Sequence, residues 1–453
     1  MAKEIEEYMR SLGLDAYVVG GAVRDELLGG DPKDADFLVP GVDIAGLRHA
    51  LAPYGRTDEL VVADRPVGVR FYPREPELRA RVAAGIEVAP LRRELSTGPG
   101  RHDFDIVVDP DAPIEDDLRR RDFTVNAMAR RLADDTLVDP FGGHDDLTRR
   151  VLRTVTPHSF GEDPLRLVRG LRFVSQLGLE PDAQTLQQMC EHADSVRLVS
   201  GERIGGGIAA DGLGELSKLL LGEQPAKALR LARDTGILAA LIPEFAPSIG
   251  FRATHAEHSL TVDEHTFAVV QAAADAGDTL RVRLATLFHD LGKPGGAEDH
   301  AAAGAEIADA VMRRLRYPNE LRREVVELVR VHPFWIQTGD ALEARRLLAK
   351  HGDRLVADML AHWRADVTGR DQTPKTAAKL ERIAAFRDVV AAEQQSPHRL
   401  SDLAVDGDDL IGIGYREGPG VGKTLAILLD EVVQDPGRNE RGTLLERARE
   451  LMA

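Results

Sequence analysis

One cysteine, Cys190, stands in 453 residues, so no internal disulfide can form and a reducing, cytoplasmic setting is expected. In its Ala/Leu/Gln-rich stretch this thiol reads as a small buried apolar residue rather than a nucleophile. No apolar run approaches the roughly 18 residues of a membrane span, and the charged start MAKEIEEYMR lacks the apolar core of a signal peptide. There is no low-complexity tract and no fixed-period repeat. The net charge of −17 argues against a surface that binds nucleic acid all over. It leaves room for a local basic track, since arginines cluster at Arg119–Arg120–Arg121, at Arg166, Arg169 and Arg172, and at Arg313, Arg314 and Arg316. Solvated helix faces explain such clusters equally well, so charge alone decides nothing.

The chain is too long for one core and calls for about three domains; its 43% hydrophobic and 29% charged residues are ordinary for globular protein. Up to about residue 150, short strand-like runs (YVVGG, DFLV, VGVRFY, IEVAPL, FDIVV) alternate with helical ones. Beyond it the apolar residues recur every three or four, as in DPLRLVRGLRFVSQL, with breaks at IPEFAPSIG, KPGGAEDH and GYREGPGVG. The pattern is an α/β head on a long, mostly all-α body. The expected division is a head at 1–150, a helical neck and body at 151–245, a third region at 246–370 and a helical tail at 371–453.

In YVVGGAVRDELLGGDPKDADFLV a strand ends at Gly20–Gly21 and a helix follows. Glycines there let backbone N–H groups approach phosphate oxygens, the helix N-terminus favours anions, and Arg24 is placed to pair with a triphosphate. Asp34 and Asp36 then fall two apart on a strand, so both carboxylates share one face, a spacing that suits two Mg²⁺ ions. Read alone, DPKDAD is also turn chemistry; its position after GGAVRDELLG favours the metal reading.

These segments, followed by EDDLRRRDFTVNAMA, DPFGGHDDL and GEDPLRLVRGLRF, resemble the class II tRNA nucleotidyltransferase and bacterial poly(A) polymerase family. The motifs arrive in the family's order over roughly residues 17–175. The resemblance implies a polymerase-β-type nucleotidyltransferase head, with Gly20, Gly21, Arg24, Arg121, Asp122, Asn126 and Arg169 in the nucleotide site. Asp34 and Asp36 would be the Mg²⁺ ligands and Glu87 a third catalytic carboxylate. Asp163 and Arg166 would read the Watson–Crick edge of the incoming base: Asp accepts from an exocyclic amino group and Arg donates to ring acceptors, which suits C and A. Without the upstream motifs, Asp163 and Arg166 would read as a helix start with a local ion pair. One departure stands out, because SGERI resembles the family's neck but continues into Gly205–Gly206–Gly207, and glycines cost a helix about 1 kcal/mol each. A break or insertion is expected there, before GELSKLLL.

A second constellation runs through HSLTVDEHTFAVV, LATLFHDLGK, DHAAAGAEIADAV, VRVHPFW and RADVTGR. It resembles the HD superfamily of metal-dependent phosphohydrolases, with His265, His289, Asp290 and Asp366 as matching ligands and His300 and His332 available for a second ion. The N/O ligand set suits Mn²⁺, Ni²⁺, Mg²⁺ or Zn²⁺. A single helical histidine is usually structural, but five around HDLGK are poorly explained that way. The implied activity is phosphatase or 2′,3′-cyclic phosphodiesterase. EGPGVGKT nearly matches a phosphate-binding loop, yet Glu417 replaces its first glycine and no long buried strand precedes it, so a turn and helix start is the better reading.

The leading expectation is an enzyme that adds CCA to tRNA from CTP and ATP, with an HD phosphohydrolase centre, no membrane and no obligatory protein partner. Contacts to tRNA would be mostly phosphate and shape contacts, given 5% aromatic residues. The alternatives are a poly(A) polymerase, a CC-only or A-only enzyme, and an HD phosphohydrolase whose head merely binds nucleotide.

Overall fold

A computed structural model describes residues 2–32, 35–62, 65–96, 104–206, 212–253, 259–296 and 299–452. Packing divides the chain into two units: Met1–Ala246 with Arg314–Tyr317, and Pro247–Arg313 with Pro318–Ala453.

The first unit is built on β1 (Tyr17–Val19), β2 (Asp36–Val39), β3 (Gly55–Val62), β4 (Arg65–Pro73), β5 (Ile86–Pro90), β6 (Arg92–Ser96), β7 (Phe104–Val108), β8 (Ala129–Arg131) and β9 (Leu137–Val138). Seven of them form one mixed sheet in the order β3-β4-β5-β2-β1-β8-β9, while β6 and β7 pair as a separate hairpin. Within this sheet, among the described residues, only β2 and β5 run parallel; Val19 of β1 faces Asp36 of β2. That register brings the exit of β1, where Gly20 and Gly21 follow, beside the entry of β2. Val19, Leu38, Leu91, Leu118 and Ala127 form a buried cluster behind this edge.

Helix Gly21–Leu27 leaves β1 directly. Helix Leu165–Leu177 buries Leu167, Val168, Leu171 and Val174, at helical spacing, and ends on Gly178 in the left-handed region (φ 66°). The neck breaks at its glycines: Glu202–Gly206 is one π-helical turn, and the chain is helical again at Glu215–Leu220. The glycines have a second reason. Gly206 N–H donates to Leu315 O at 3.2 Å, and a Cβ on Gly206 would stand 1.8 Å from Arg316 O. On Gly201 it would stand 2.4 Å from Arg314 O. The short stretch 314–317 therefore lies backbone to backbone on the neck, with Tyr317 Oη 3.3 Å from Ser217 Oγ.

The second unit is helical. Val262–Asp275, Leu280–Phe288, Asn319–Val331 and Ala341–Thr368, the last kinked at Gly352, surround its histidines, and Pro374–Glu393 packs on the kinked helix around Trp363 and Phe386. The tail helices Gly407–Gly412, Pro419–Gln434 and Arg441–Met452 share a core of Leu410, Leu428 and Leu444. The EGPGVGKT segment is a helix start at Pro419 after a positive-φ Gly418, and the short helix Gly407–Gly412, not a strand, precedes it. Cys190 corrects an expectation: it is exposed, because helix Ala183–His192 buries Thr185, Gln188 and Met189, a stripe that passes it by. No helix among the described residues is long and apolar enough to cross a membrane.

Candidate functional site

A cleft of about 460 Å³ opens in the first unit where β1, β2 and helix Leu165–Leu177 meet. Gly20 has φ 72°, and a Cβ there would lie 2.4 Å from Arg121 Nη1, so only glycine admits both the turn and the arginine. Gly21, Arg24 and Asp36 line the cleft with Arg121, Asp122 and Asn126. Arg24 Nη1 donates to Asn126 Oδ1 (2.6 Å), and Asn126 Nδ2 donates to Asp122 Oδ1 (2.9 Å). Arg169 reaches the other Asp122 oxygen at 2.7 Å and Glu215 at 3.3 Å, while Arg172 pairs with Glu215 at 3.0 Å. Burial alone would raise the Asp122 pKa; Arg169 and the Asn126 hydrogen bond overcome it and hold the carboxyl far below its usual range. Burial lowers Arg121, opposed by Asp117 and Asp36.

Asp163 and Arg166 both line this cleft; Arg166 N–H donates to Asp163 O at 2.9 Å, while their side chains take other partners. Asp163 accepts from Leu165 N (3.0 Å) and from two nitrogens of Arg203 (2.8 and 3.2 Å). Arg166 holds Glu162 at 2.8 Å and donates to Arg120 O at 2.7 Å. Asp163 thus does accept from an N–H at the helix start, but the ion pair of that reading is replaced: Arg166 pairs with Glu162, and Asp163 with Arg203. Glu87 does not line the cleft: it sits on β5, beside β2, and its carboxylate is taken by Arg70 at 2.7 Å. Asp34 lies outside the described residues. Arg203 and Phe173, which the sequence reading left out, also line the cleft.

The second unit gathers its histidines. His265 Nε2 is 2.9 Å from Asp366 Oδ1 and 3.8 Å from Asp290 Oδ2, and His289 Nε2 is 3.3 Å from the same Asp290 oxygen. On the other side of Asp290, His332 Nε2 lies 3.9 Å from Oδ1 and 3.3 Å from His300 Nε2. Two ligand groups share Asp290: one with His265 and His289, the other with His300 and His332. Nδ1 of His265, His289 and His332 each faces a backbone carbonyl (Gly369, Thr286, Val329), an arrangement that favours the Nδ1–H tautomer and turns Nε2 toward the carboxylates. His362, absent from the sequence reading, sets its ring edge-on to His289 at 5.3 Å and tilted to His332 at 5.7 Å.

His289 Nε2, His362 Nε2 and Asp290 Oδ1 are buried without a hydrogen-bond partner of acceptable geometry. Buried polar atoms left unpaired cost free energy unless something completes them. Converging imidazole and carboxylate donors fit a divalent cation. Burial, with His289 beside it, holds His332 down at about 4, and burial also lowers His362, so both present neutral, ligating rings at pH 7.

Comparison with known proteins is consistent across the chain. Residues 16–153 match the family described as "Poly A polymerase head domain", 178–249 the "Probable RNA and SrmB- binding site of polymerase A", and 262–360 the "HD domain". A multifunctional CCA protein of Neisseria gonorrhoeae is 36% identical over 340 residues, 72% of this chain and 75% of the relative. One of Ralstonia nicotianae is 34% identical over 353 residues, 74% and 76% of the two chains. The crystal structure of the Bacillus stearothermophilus CCA-adding enzyme in complex with CTP superposes with a TM-score of 0.66 at 25% identity, over 100% of this chain and 98% of that one. A Thermotoga maritima CCA-adding enzyme complexed with tRNA shares the fold at a TM-score of 0.59 and 19% identity, over 98% and 93%.

Proposed function

The chain belongs to the multifunctional CCA protein family of tRNA nucleotidyltransferases, and on that premise we propose that its cleft attaches CMP and AMP, from CTP and ATP, to the 3′ end of tRNA without a nucleic-acid template. The observation that carries this reading is the convergence in one cleft of Asp36, four arginines of the nucleotide site (Arg24, Arg121, Arg166, Arg169) and Asp163.

Asp34 and Asp36 would hold Mg²⁺, with Glu87 a third carboxylate that gives up Arg70. Bound by these carboxylates, the ions would supply Lewis-acid activation of the terminal hydroxyl and charge stabilisation of the leaving pyrophosphate. The backbone at Gly20–Gly21 and the guanidinium groups of Arg24, Arg121 and Arg169 neutralise the triphosphate, and Asp122 and Asn126 hold Arg24 and Arg169 in place. Asp163 and Arg166 present an acceptor and a donor to the base edge. Cytosine and adenine both carry an exocyclic amino group for the carboxylate, and uracil does not.

In the second unit His265, His289, Asp290 and Asp366 would bind one divalent ion, and His300, His332 and His362 would complete a second around Asp290. The activity proposed there is hydrolysis of phosphoesters, including 2′,3′-cyclic phosphates. Such hydrolysis would expose the free hydroxyl that the cleft requires as nucleophile. Similarity to proteins named for CCA addition favours this reading over poly(A) extension, and tRNA extension suits the cytoplasm. The test is a gel assay with tRNA transcripts ending before CCA, after CC and in full CCA, with CTP and ATP supplied singly and together. Growth that stops at CCA supports the proposal; an A ladder, C-only or A-only growth, or equal activity from Asp34→Ala/Asp36→Ala overturns it.

A further inference from the structure

Phe173 is 1% exposed, and three guanidinium carbons stand over its ring. Arg172 lies 4.4 Å, Arg24 5.1 Å and Arg169 5.7 Å from the centroid. Arg24 comes from the helix after Gly20–Gly21, and the other two from the helix that carries Phe173. Three like charges this close repel one another. Burial first, with Arg169 and Arg24 adding to it and Glu215 opposing, pushes the Arg172 pKa down to about 10. Asp25, Asp122 and Glu215 offset the charge from the sides.

An aromatic face attracts a cation by its quadrupole and occupies none of the five guanidinium N–H donors. A carboxylate in the same place would consume the donors that a phosphate needs. The ring itself is held edge-on by Phe123, 5.7 Å away at 89°, and Gly170 leaves room for that contact, since a Cβ there would sit 3.0 Å from Phe123 Cζ. Its face is therefore fixed before any ligand arrives.

We propose that Phe173 is a positioning residue for nucleotide binding: its ring holds Arg24, Arg169 and Arg172 apart yet convergent, as one preformed receptor for the triphosphate of CTP and ATP. The proposal rests on the reading of these arginines as the triphosphate site. A leucine fills similar space without a quadrupole, whereas tyrosine keeps the ring.

The full-length enzyme is assayed with CTP on tRNA ending before CCA and with ATP on tRNA ending in CC. Phe173→Leu is expected to raise both nucleotide KM values on the order of 10-fold with kcat nearly unchanged, as loss of two to three partly buried cation–π contacts implies. Phe173→Tyr should restore KM. Phe160→Leu, a packing control at a ring that touches Phe123 and not the arginines, should lower Tm without moving KM. Phe173→Met replaces the leucine variant if that one does not fold. Wild-type KM in Phe173→Leu, or a Tyr variant as impaired as the Leu variant, overturns the proposal. Arg24→Gln separates the two readings: if it raises KM while Phe173→Leu does not, only the role of Phe173 falls, and if neither moves KM the triphosphate site itself is misplaced.

Discussion

Asp122→Asn removes one charge from a buried wall of the cleft and preserves its shape. Asp122 is 7% exposed, with one oxygen on Arg169 and the other accepting from Asn126 Nδ2 and Phe123 N, both at 2.9 Å. An asparagine has a single acceptor oxygen, so either Arg169 or the Asn126–Phe123 pair must face an NH₂ group. Breaking a buried pair by removing one partner costs about 3–5 kcal/mol. Arg169 keeps Glu215 at 3.3 Å and its side chain is 31% exposed, which puts the expected loss at the lower end, about 3 kcal/mol. For a unit of this size about 2 °C accompanies each kcal/mol, so the transition should fall by about 6 °C at pH 7. The pH dependence has a definite sign. The folded pKa lies below the unfolded value of about 3.9, so the stabilisation is complete above that value and is lost as pH falls through the folded pKa. The gap in Tm between wild type and variant should stay constant from pH 8 to about 5 and narrow below about 4. Differential scanning calorimetry across that range checks it. A gap under about 1 °C at pH 7, or one that widens in acid, would refute the assignment of Asp122 as the counter-charge of Arg169.

Arg203→Ala frees Asp163 of its bidentate partner while Leu165 N still donates to it; UTP misincorporation relative to CTP should rise about tenfold, one base-edge contact's worth, and unchanged fidelity would show that Arg203 does not orient Asp163 in the loaded enzyme. His362→Ala should weaken Mn²⁺ binding to the full chain at least about tenfold by isothermal titration, and wild-type stoichiometry and affinity would remove this ring from the metal centre. Gly206→Ala forces a Cβ to within 1.8 Å of a backbone oxygen, so a loss of at least about 2 kcal/mol is expected in chemical denaturation. Gly420→Ala, where nothing lies within 4 Å, should be neutral or stabilising; equal effects of the two would discard the steric account.

What the sequence disclosed followed local rules, and what it hid depended on distance along the chain. The runs YVV, DFLV and FDIVV announced their strands by β-branched and aromatic content. GRTDELVV did not, because β3 is an edge strand and keeps Arg56, Asp58 and Glu59 on it. The glycine break in the neck was legible from helix propensity, but its cause, a backbone segment over 100 residues away, was not. Arg203 meets Asp163 across 40 residues, a partnership no spacing rule suggests. His362 was within reach: it stands four residues before Asp366 on one helix face. Cys190 was too, since the helical stripe of Thr185, Gln188 and Met189 excludes it. Phe173 fell inside a recognised motif, yet only the side-chain geometry shows three cations over its ring.

The stretch 314–317 also sets a timetable. Most of the first unit has left the ribosome once Ala246 is made, but Leu315, Arg316 and Tyr317, which cover Gly205 and Gly206, arrive 71 residues later (317 − 246). At elongation rates of about 5–20 residues per second, that is a wait of roughly 4–14 s. During it the neck that carries Arg203 has no cover over its glycine backbone. A nascent chain held by a stall site that exposes residues up to 300 should therefore leave the neck open to proteases, and one that exposes residues up to 330 should close it.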